Sequence, residues 1–165
     1  IQPEEEITDE QMRQTIVTLY YQNKETKELM PEGRTIDSKE LLSDPYVTLM
    51  KLLIEGPKSE NLQSAIPEGT RVIKAELKGD ILYLDLSKEF IDNHEGGEEA
   101  ENLTIYSIVN TVTELNEVNS VKILINGRED QSFNDNKINF RNAFVRVEKE
   151  EIISSSTSNT VNNTI

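Results

Sequence analysis

The sequence predicts an α+β domain, a small mixed β-sheet with two helices packed on one face, in the order β-α-β-β-α-β. Three stretches carry that prediction. Glu98–Gly127 reads as a long apolar-faced helix, a turn and a buried strand. Arg71–Leu86 reads as a hairpin, and Asp44–Pro57 as a helix punctuated at both ends. A chain of 165 residues is long enough for one such core with short tails. The expected organisation is a polar lead-in over 1–14, a domain over 15–149, and a Ser/Thr/Asn-rich disordered tail over 150–165.

In chain order, Thr15–Gln22 (TIVTLYYQ) alternates as a strand does. The charged segment after it is expected to end in a Pro-Glu-Gly turn at Pro31–Gly33, and Arg34–Asp37 to pair as a short extended piece with the first strand. Asp44-Pro45 supplies an N-cap and a proline for the first helical position, and Gly56-Pro57 stops that helix. Tyr46, Leu49, Met50, Leu53 and Ile54 form its core-facing stripe. Asn61–Ser64 reads as a loop or a single turn, and Ile66–Thr70 as a second turn. The hairpin arms Arg71–Leu77 and Ile81–Leu86 meet at Lys78-Gly79-Asp80, although the first arm alternates only partly in phase. Ser87–Phe90 is a tight turn or short helix that tucks Phe90 into the core.

In the long helix Ala100, Leu103, Ser107, Ile108, Thr111, Val112 and Leu115 share one face, which Ile105 and Val109 widen. A helix so patterned is covered on more than one side. Glu98, Glu99 and Glu101 occupy its first turn, where negative charge is favoured, and Asn116 and Asn119 are the expected terminators. Six buried apolar side chains here contribute on the order of 10 kcal/mol before conformational entropy is subtracted. Val121–Ile125 is a buried strand ended by Asn126-Gly127. Arg128–Asn139 is a polar loop around Phe133, and Phe140–Val147 a final strand or edge.

Formal charge is −14, with 31 acids against 17 Lys and Arg, which argues against attraction to nucleic acid or anionic lipid. Eleven of those net charges come from Glu4–Glu10 and from Glu89–Glu101, both read as solvated segments rather than ion sites. The chain has no cysteine, which removes disulfides, thiolate metal sites and cysteine nucleophiles. No run is long enough to span a membrane. Because the chain starts at Ile1 without Met, the expectation is a removed N-terminal segment that could hold a targeting signal or an anchor.

Each candidate for chemistry has a plainer reading. His94 is the single histidine, placed in an acidic glycine-flanked loop, and reads as an exposed loop residue. Asp85, Glu89 and Asp92 would need a cleft to act as paired carboxylates. Ser87 and Ser107 have no histidine partner for a triad. The Gly96-Gly97 loop could cradle an anion at the helix N-terminus, but three glutamates there repel one. Asp130–Asn136 matches a calcium loop in composition and not in ligand spacing, so it reads as a solvated turn. Asn102-Leu-Thr and Asn162-Asn-Thr fit the glycosylation triplet, the first inside a helix. No catalytic, cofactor-binding or metal-binding residues are assigned, and no cofactor is expected.

Five stretches read together resemble the GerMN domain of bacterial sporulation and spore-germination proteins. They are Leu53–Pro57 (LIEGP), Ile66–Thr70 (IPEGT), Leu84–Phe90 (LDLSKEF), Ile108–Leu115 (IVNTVTEL) and Val121–Gly127 (VKILING), and the resemblance spans about Thr15 to Asp130. Each string is common; five in this order are specific. The resemblance implies a ring-building-motif-like fold and a non-catalytic extracytoplasmic module, carried on a lipoprotein or single-span anchor in a Gram-positive spore former. It also implies a scaffold role in an envelope complex. The expected partners are other envelope or sporulation proteins, with self-association, no nucleic acid, and membrane contact only through an N-terminal segment absent from this chain. The alternative is a module that binds a small ligand or envelope polymer in a cleft near the Gly96-Gly97 loop.

Overall fold

A computed structural model of the chain describes residues 13–147. The lead-in up to Met12, the tail expected over 150–165 and the Asn162 triplet lie outside the described residues. The elements are β1 (Gln14–Asn23), β2 (Leu29–Asp37), α1 (Ser38–Ser43), α2 (Pro45–Glu55), β3 (Leu62–Gln63), β4 (Val72–Lys78), β5 (Ile81–Leu86), α3 (Glu89–Asp92), α4 (Glu98–Val112), β6 (Ser120–Ile125) and β7 (Phe144–Val145). The α+β class is as expected. The strands divide between two sheets, in the orders β2-β1-β3 and β4-β5-β6-β7, against which the long helices α2 and α4 pack.

The first hairpin departs from expectation. Pro31–Gly33 is not a turn but the middle of β2, which pairs antiparallel with β1 from Gln14↔Asp37 to Gln22↔Leu29. The reversal comes earlier, at Asn23. Its Oδ1 accepts from the Glu25 and Thr26 amides at 2.9 and 3.0 Å, and Lys27 takes a left-handed φ of 62°. Proline fits the strand because of its partner, Tyr20. The Tyr20 amide donates to Thr111 Oγ1 (3.0 Å) and its carbonyl accepts from Ser107 Oγ (2.7 Å), so both backbone groups point away from β2. Tyr20↔Pro31 is therefore a non-hydrogen-bonded pair, and the missing Pro31 N–H faces the outer edge, where the ladder needs no donor.

Helix α2 follows its punctuation. Asp44 accepts from the Val47 amide (3.2 Å), Pro45 is first in the helix, and Gly56 ends it at φ 102°. Leu49, Met50 and Leu53 are buried. The short helix α1 had no sequence warning, although Asp37 caps it by accepting from the Lys39 amide at 2.8 Å. Within the expected loop Asn61–Ser64, Leu62 and Gln63 form β3 against the end of β1.

In the second hairpin a β-bulge shifts the register between Val72 and Lys74. That extra residue is why Ile73, Ala75 and Leu77 do not alternate cleanly in sequence: Ile73 is turned outward, while Val72, Ala75 and Leu77 face in. Gly79, at φ 64°, opens the two-residue loop. Strand β5 runs antiparallel to β4 and parallel to β6, with α3 and α4 in the crossover. Leu82, Leu84, Leu86 and Phe90 are fully buried.

Helix α4 is buried along Leu103–Ile105 and Ser107–Val112, which confirms that it is covered on more than one side. It ends at Val112, a turn before Leu115, through tight bonds such as Leu115 N to Val112 O at 3.1 Å. Asn116 and Asn119 are not its terminators, since neither takes a left-handed φ. Asn119 instead ties the chain to the hairpin loop, its amide donating to Asp80 O (2.9 Å) and its side chain to Asp80 Oδ2 (2.8 Å). The final strand is shorter than the expected Phe140–Val147. Only Phe144–Val145 pairs with β6, because Phe140 is drawn into an aromatic cluster with Phe90 and Phe133.

Candidate functional site

The antiparallel register places the backbone groups of Pro31, Gly33 and Thr35 on the outer side of β2, which is an edge strand. Its outward positions Pro31, Gly33 and Thr35 are small and uncharged, and the charged Asp37 stands only at its end, where it caps α1. Beside them on β1, Ile16 is 73% exposed, and Leu42 on the following helix is 81% exposed. A Cβ on Gly33 would meet Ile16 Cγ2 at 3.8 Å, so the two side by side make a flat apolar surface. The other long edge, β4, carries the bulge at Ile73 and the charged side chains Lys74, Glu76 and Lys78. Those devices discourage strand addition, and β2 shows only its proline.

The inner face of the same hairpin is polar and fixed. Arg34 pairs with Glu32 at 2.7 Å, both nearly excluded from solvent. Glu32 also accepts from the amides of Lys58 (3.1 Å) and Ser59 (2.9 Å). Burial alone would raise the Glu32 pKa, but the Arg34 hydrogen bond and those from Ser59 and Lys58 outweigh it and hold the carboxyl at about 2. Tyr21 donates to Leu52 O (2.6 Å) and Gly56 O (3.1 Å), satisfying carbonyls at the end of α2. Burial pushes the Tyr21 phenol up to about 12. Glu32, Arg34 and Tyr21 thus lock β1 and β2 to the end of α2. Sequence reading missed this clamp because it treated Glu32 as part of a turn; the i, i+2 spacing of Glu32 and Arg34 was the available signal.

The sequence candidates do not converge. Asp85 accepts from the Gly127 amide (2.9 Å), Glu89 pairs with Arg71 (3.4 Å) and Asp92 with Lys88 (3.7 Å). Ser87 Oγ accepts from the Arg71 amide (2.9 Å), and Ser107 is committed to Tyr20. His94 is not an exposed loop residue. It is half-buried, 4.6 Å from the Phe133 ring centroid, with Nδ1 accepting from the Gly96 amide (2.9 Å) and Nε2 2.7 Å from Thr104 Oγ1. Burial lowers its pKa. Asp130–Asn136 is a turn with exposed polar residues, but Phe133 anchors it in the core. Asn102 lies within α4. Among the described residues no group of three or more His, Cys, Asp or Glu could hold a metal ion.

Two clefts deserve comparison with the open edge. One of about 250 Å³, beside the Gly96-Gly97 loop, is lined by Gln22, Gln63, Pro67, Asn93, His94 and Thr104. It is small for a ligand pocket. The other, of about 500 Å³, lies at the carboxyl ends of the parallel pair β5 and β6, between Lys88, Ile91, Ile125, Arg128, Ser132 and Asn134. Both are mainly polar and open to solvent.

Comparison with known proteins gives the fold a family. A family model described as sporulation and spore germination, the Germane domain, matches residues 18–131. The tandem GerMN domains of the sporulation protein GerM from Bacillus subtilis align with a TM-score of 0.68 at 23% identity, covering 85% of this chain and 48% of that one. This chain therefore spans about half the length of that relative. The first GerMN domain of the same protein aligns at 0.60 and 18% identity, covering 82% of this chain and 95% of that one. A protein of Clostridium perfringens provisionally named a lipoprotein aligns at 0.55 and 22% identity, with 85% and 93% covered. Curated protein sequences return no match. No helix among the described residues is long and apolar enough to cross a membrane. With strands, helices and turns matching over most of its length, the chain belongs to the Germane, or GerMN, family of sporulation and spore-germination domains.

Proposed function

We propose that this chain is a non-catalytic, extracytoplasmic assembly module of a sporulation or germination protein, and that it joins an envelope complex through the open side of the β1–β2 hairpin. The observation that carries this reading is the contrast between edges. Among the described residues, strand β2 offers backbone groups with no strand partner beside the exposed Ile16, whereas β4 is bulged and charged. The family supports the setting, and the lipoprotein relative supports attachment at a membrane surface through a segment before the domain. Other envelope proteins or a second copy of the chain are the expected partners. The polar clefts leave ligand binding as the weaker reading.

The test places a photo-crosslinking amino acid at Thr35 on β2 or at Glu76 on β4, in the full-length protein of the spore-forming host. A discrete crosslinked product from Thr35 during sporulation or germination, and none from Glu76, supports the proposal. Equal labelling from both sites, or unchanged spore yield and germination after deletion of the coding region, overturns it.

A further inference from the structure

Gln22 is the anomalous buried polar residue of this domain. It is 6% exposed near the end of β1, and its carboxamide makes no hydrogen bond to any described residue. Buried amides in folded proteins are partnered, so an open one needs its partner from outside the chain. Gln22 lines the cleft of about 250 Å³ beside the Gly96-Gly97 loop. Its register partner on β3 is Gln63, which sets the two side chains next to each other on one face of the sheet. Gln63 lines the same cleft, and its carboxamide is equally free among the described residues. We infer that this cleft binds one neutral, amide-bearing residue of a peptide, an Asn or Gln side chain, which pairs with the carboxamides of Gln22 and Gln63.

The other polar groups of the cleft are committed within the protein. Ser64 Oγ donates to Leu53 O (2.6 Å) and accepts from the Ile66 amide (3.2 Å). Thr104 Oγ1 directs its single proton to the carbonyl of Ala65 (2.8 Å) or Ala100 (3.0 Å), so the hydrogen in its 2.7 Å contact with His94 sits on Nε2. His94 Nδ1 accepts from the Gly96 amide at 2.9 Å, which fixes a neutral imidazole with neither nitrogen free. Asn93 donates through Nδ2 to Glu68 O (2.7 Å) and keeps its carbonyl oxygen open. What remains is two carboxamides and an acceptor, with Glu95 the one charged residue on the wall. A carboxamide offers donor and acceptor side by side, a pattern that a second amide completes with two hydrogen bonds at once. A carboxylate fills only the donors and meets Glu95, and an ammonium leaves the donors unmet. The volume, that of about eight waters, admits one residue and not a longer segment. A sugar is the poorer fit, because the one aromatic ring lining the cleft, His94, is already packed on Phe133 at 4.6 Å. The site lies on the β3 flank and does not depend on the pairing proposed at β2.

The experiment titrates the full 165-residue chain with N-acetylglutamine methylamide, with glucose and with sodium acetate, and follows the side-chain NH₂ resonances of Gln22 and Gln63 by NMR. The expected result is saturable movement of both, and of the His94 ring, with the capped glutamine alone, while Gln131 in the larger cleft stays still. Gln22→Leu should fold, gain stability from the loss of an unpartnered polar group, and bind the probe at least about tenfold more weakly. Should Gln22→Leu fail to fold, Gln63→Leu, half-buried on β3, is expected to give the same loss. Unchanged binding in a folded variant overturns the site. So does a capped glutamine that moves neither resonance, and equal movement with glucose or acetate overturns the amide as the ligand.

Discussion

The two hairpins solve the same problem with different chemistry. In β4–β5 the inner face is aliphatic, with Leu82, Leu84 and Leu86 fully buried and Ala75 and Leu77 packed behind them. In β1–β2 the inner face combines Val17, Leu19 and Tyr21 with an ion pair, Glu32–Arg34, that reaches across to the end of α2. The aliphatic hairpin is held by non-directional burial, which tolerates small displacements. The ionic one is held by directional bonds, and its geometry is the more exacting. The outer edges are reversed in character: the aliphatic hairpin has the charged, bulged edge, and the ionic hairpin has the open one.

Breaking the ion pair by Arg34→Ala is the sharpest test of that contrast. It strands a buried carboxylate and is expected to destabilise the domain by about 3–5 kcal/mol in denaturant unfolding. Replacing both partners, as Glu32→Leu with Arg34→Met, should recover most of that loss or exceed the wild type. If the single and double variants are equally unstable, the polar inner face is packing rather than a pair. On the other hairpin, Leu84→Ala removes a wholly buried side chain and should cost about 2–5 kcal/mol without altering the pH profile.

Acid separates the hairpins next. The Glu32 carboxyl lies below its ordinary value of 4.5, at about 2, so the folded state holds its proton less tightly than the unfolded chain does. The stabilisation is complete above pH 4.5 and is lost as pH falls through 2, an effect of about 3 kcal/mol. Glu101 has the opposite sign: raised to about 7, it costs stability progressively as pH climbs from 4.5 to 7. Thermal melts of the wild type across this range, beside Glu32→Leu/Arg34→Met and Glu101→Gln, resolve the two contributions. The smallest effect belongs to the edge. Thr35→Lys on the outside of β2 should change stability by less than about 0.5 kcal/mol while abolishing crosslinking from a probe moved to Pro31 on the same strand.

What could be read beforehand follows the same division. Periodicity and punctuation located α2, the β4–β5 hairpin, Phe90 and β6, because aliphatic burial leaves a local pattern in sequence. They misplaced the first reversal at Pro31–Gly33, because a proline in a strand is tolerated only through what lies opposite, and Tyr20 was turned towards hydroxyls on a helix far along the chain. They could not foresee the separation into two sheets, which depends on which strands pair at a distance. The bulge at Ile73 was visible as a broken alternation without a cause. His94 and Glu101 were read as solvated because their neighbours in sequence are acidic; the residues that face them, Phe133 and Asp135, come more than thirty residues later.

The hydroxyls of Ser107 and Thr111 have a consequence for how copies of this domain could associate. By capping the Tyr20 backbone they make α4 a surrogate strand, so the far flank of β1 is sealed by the helix and by β3. Among the described residues β2 is the long edge of this sheet, and the edge opposite it is the two-residue β3. A unit with a single receptive flank gains one neighbour there and stops: two like flanks meeting form a closed two-fold pair, and a foreign strand ends the series at once. Under the proposed pairing through β2, association by this sheet would terminate or mate rather than extend into a fibre.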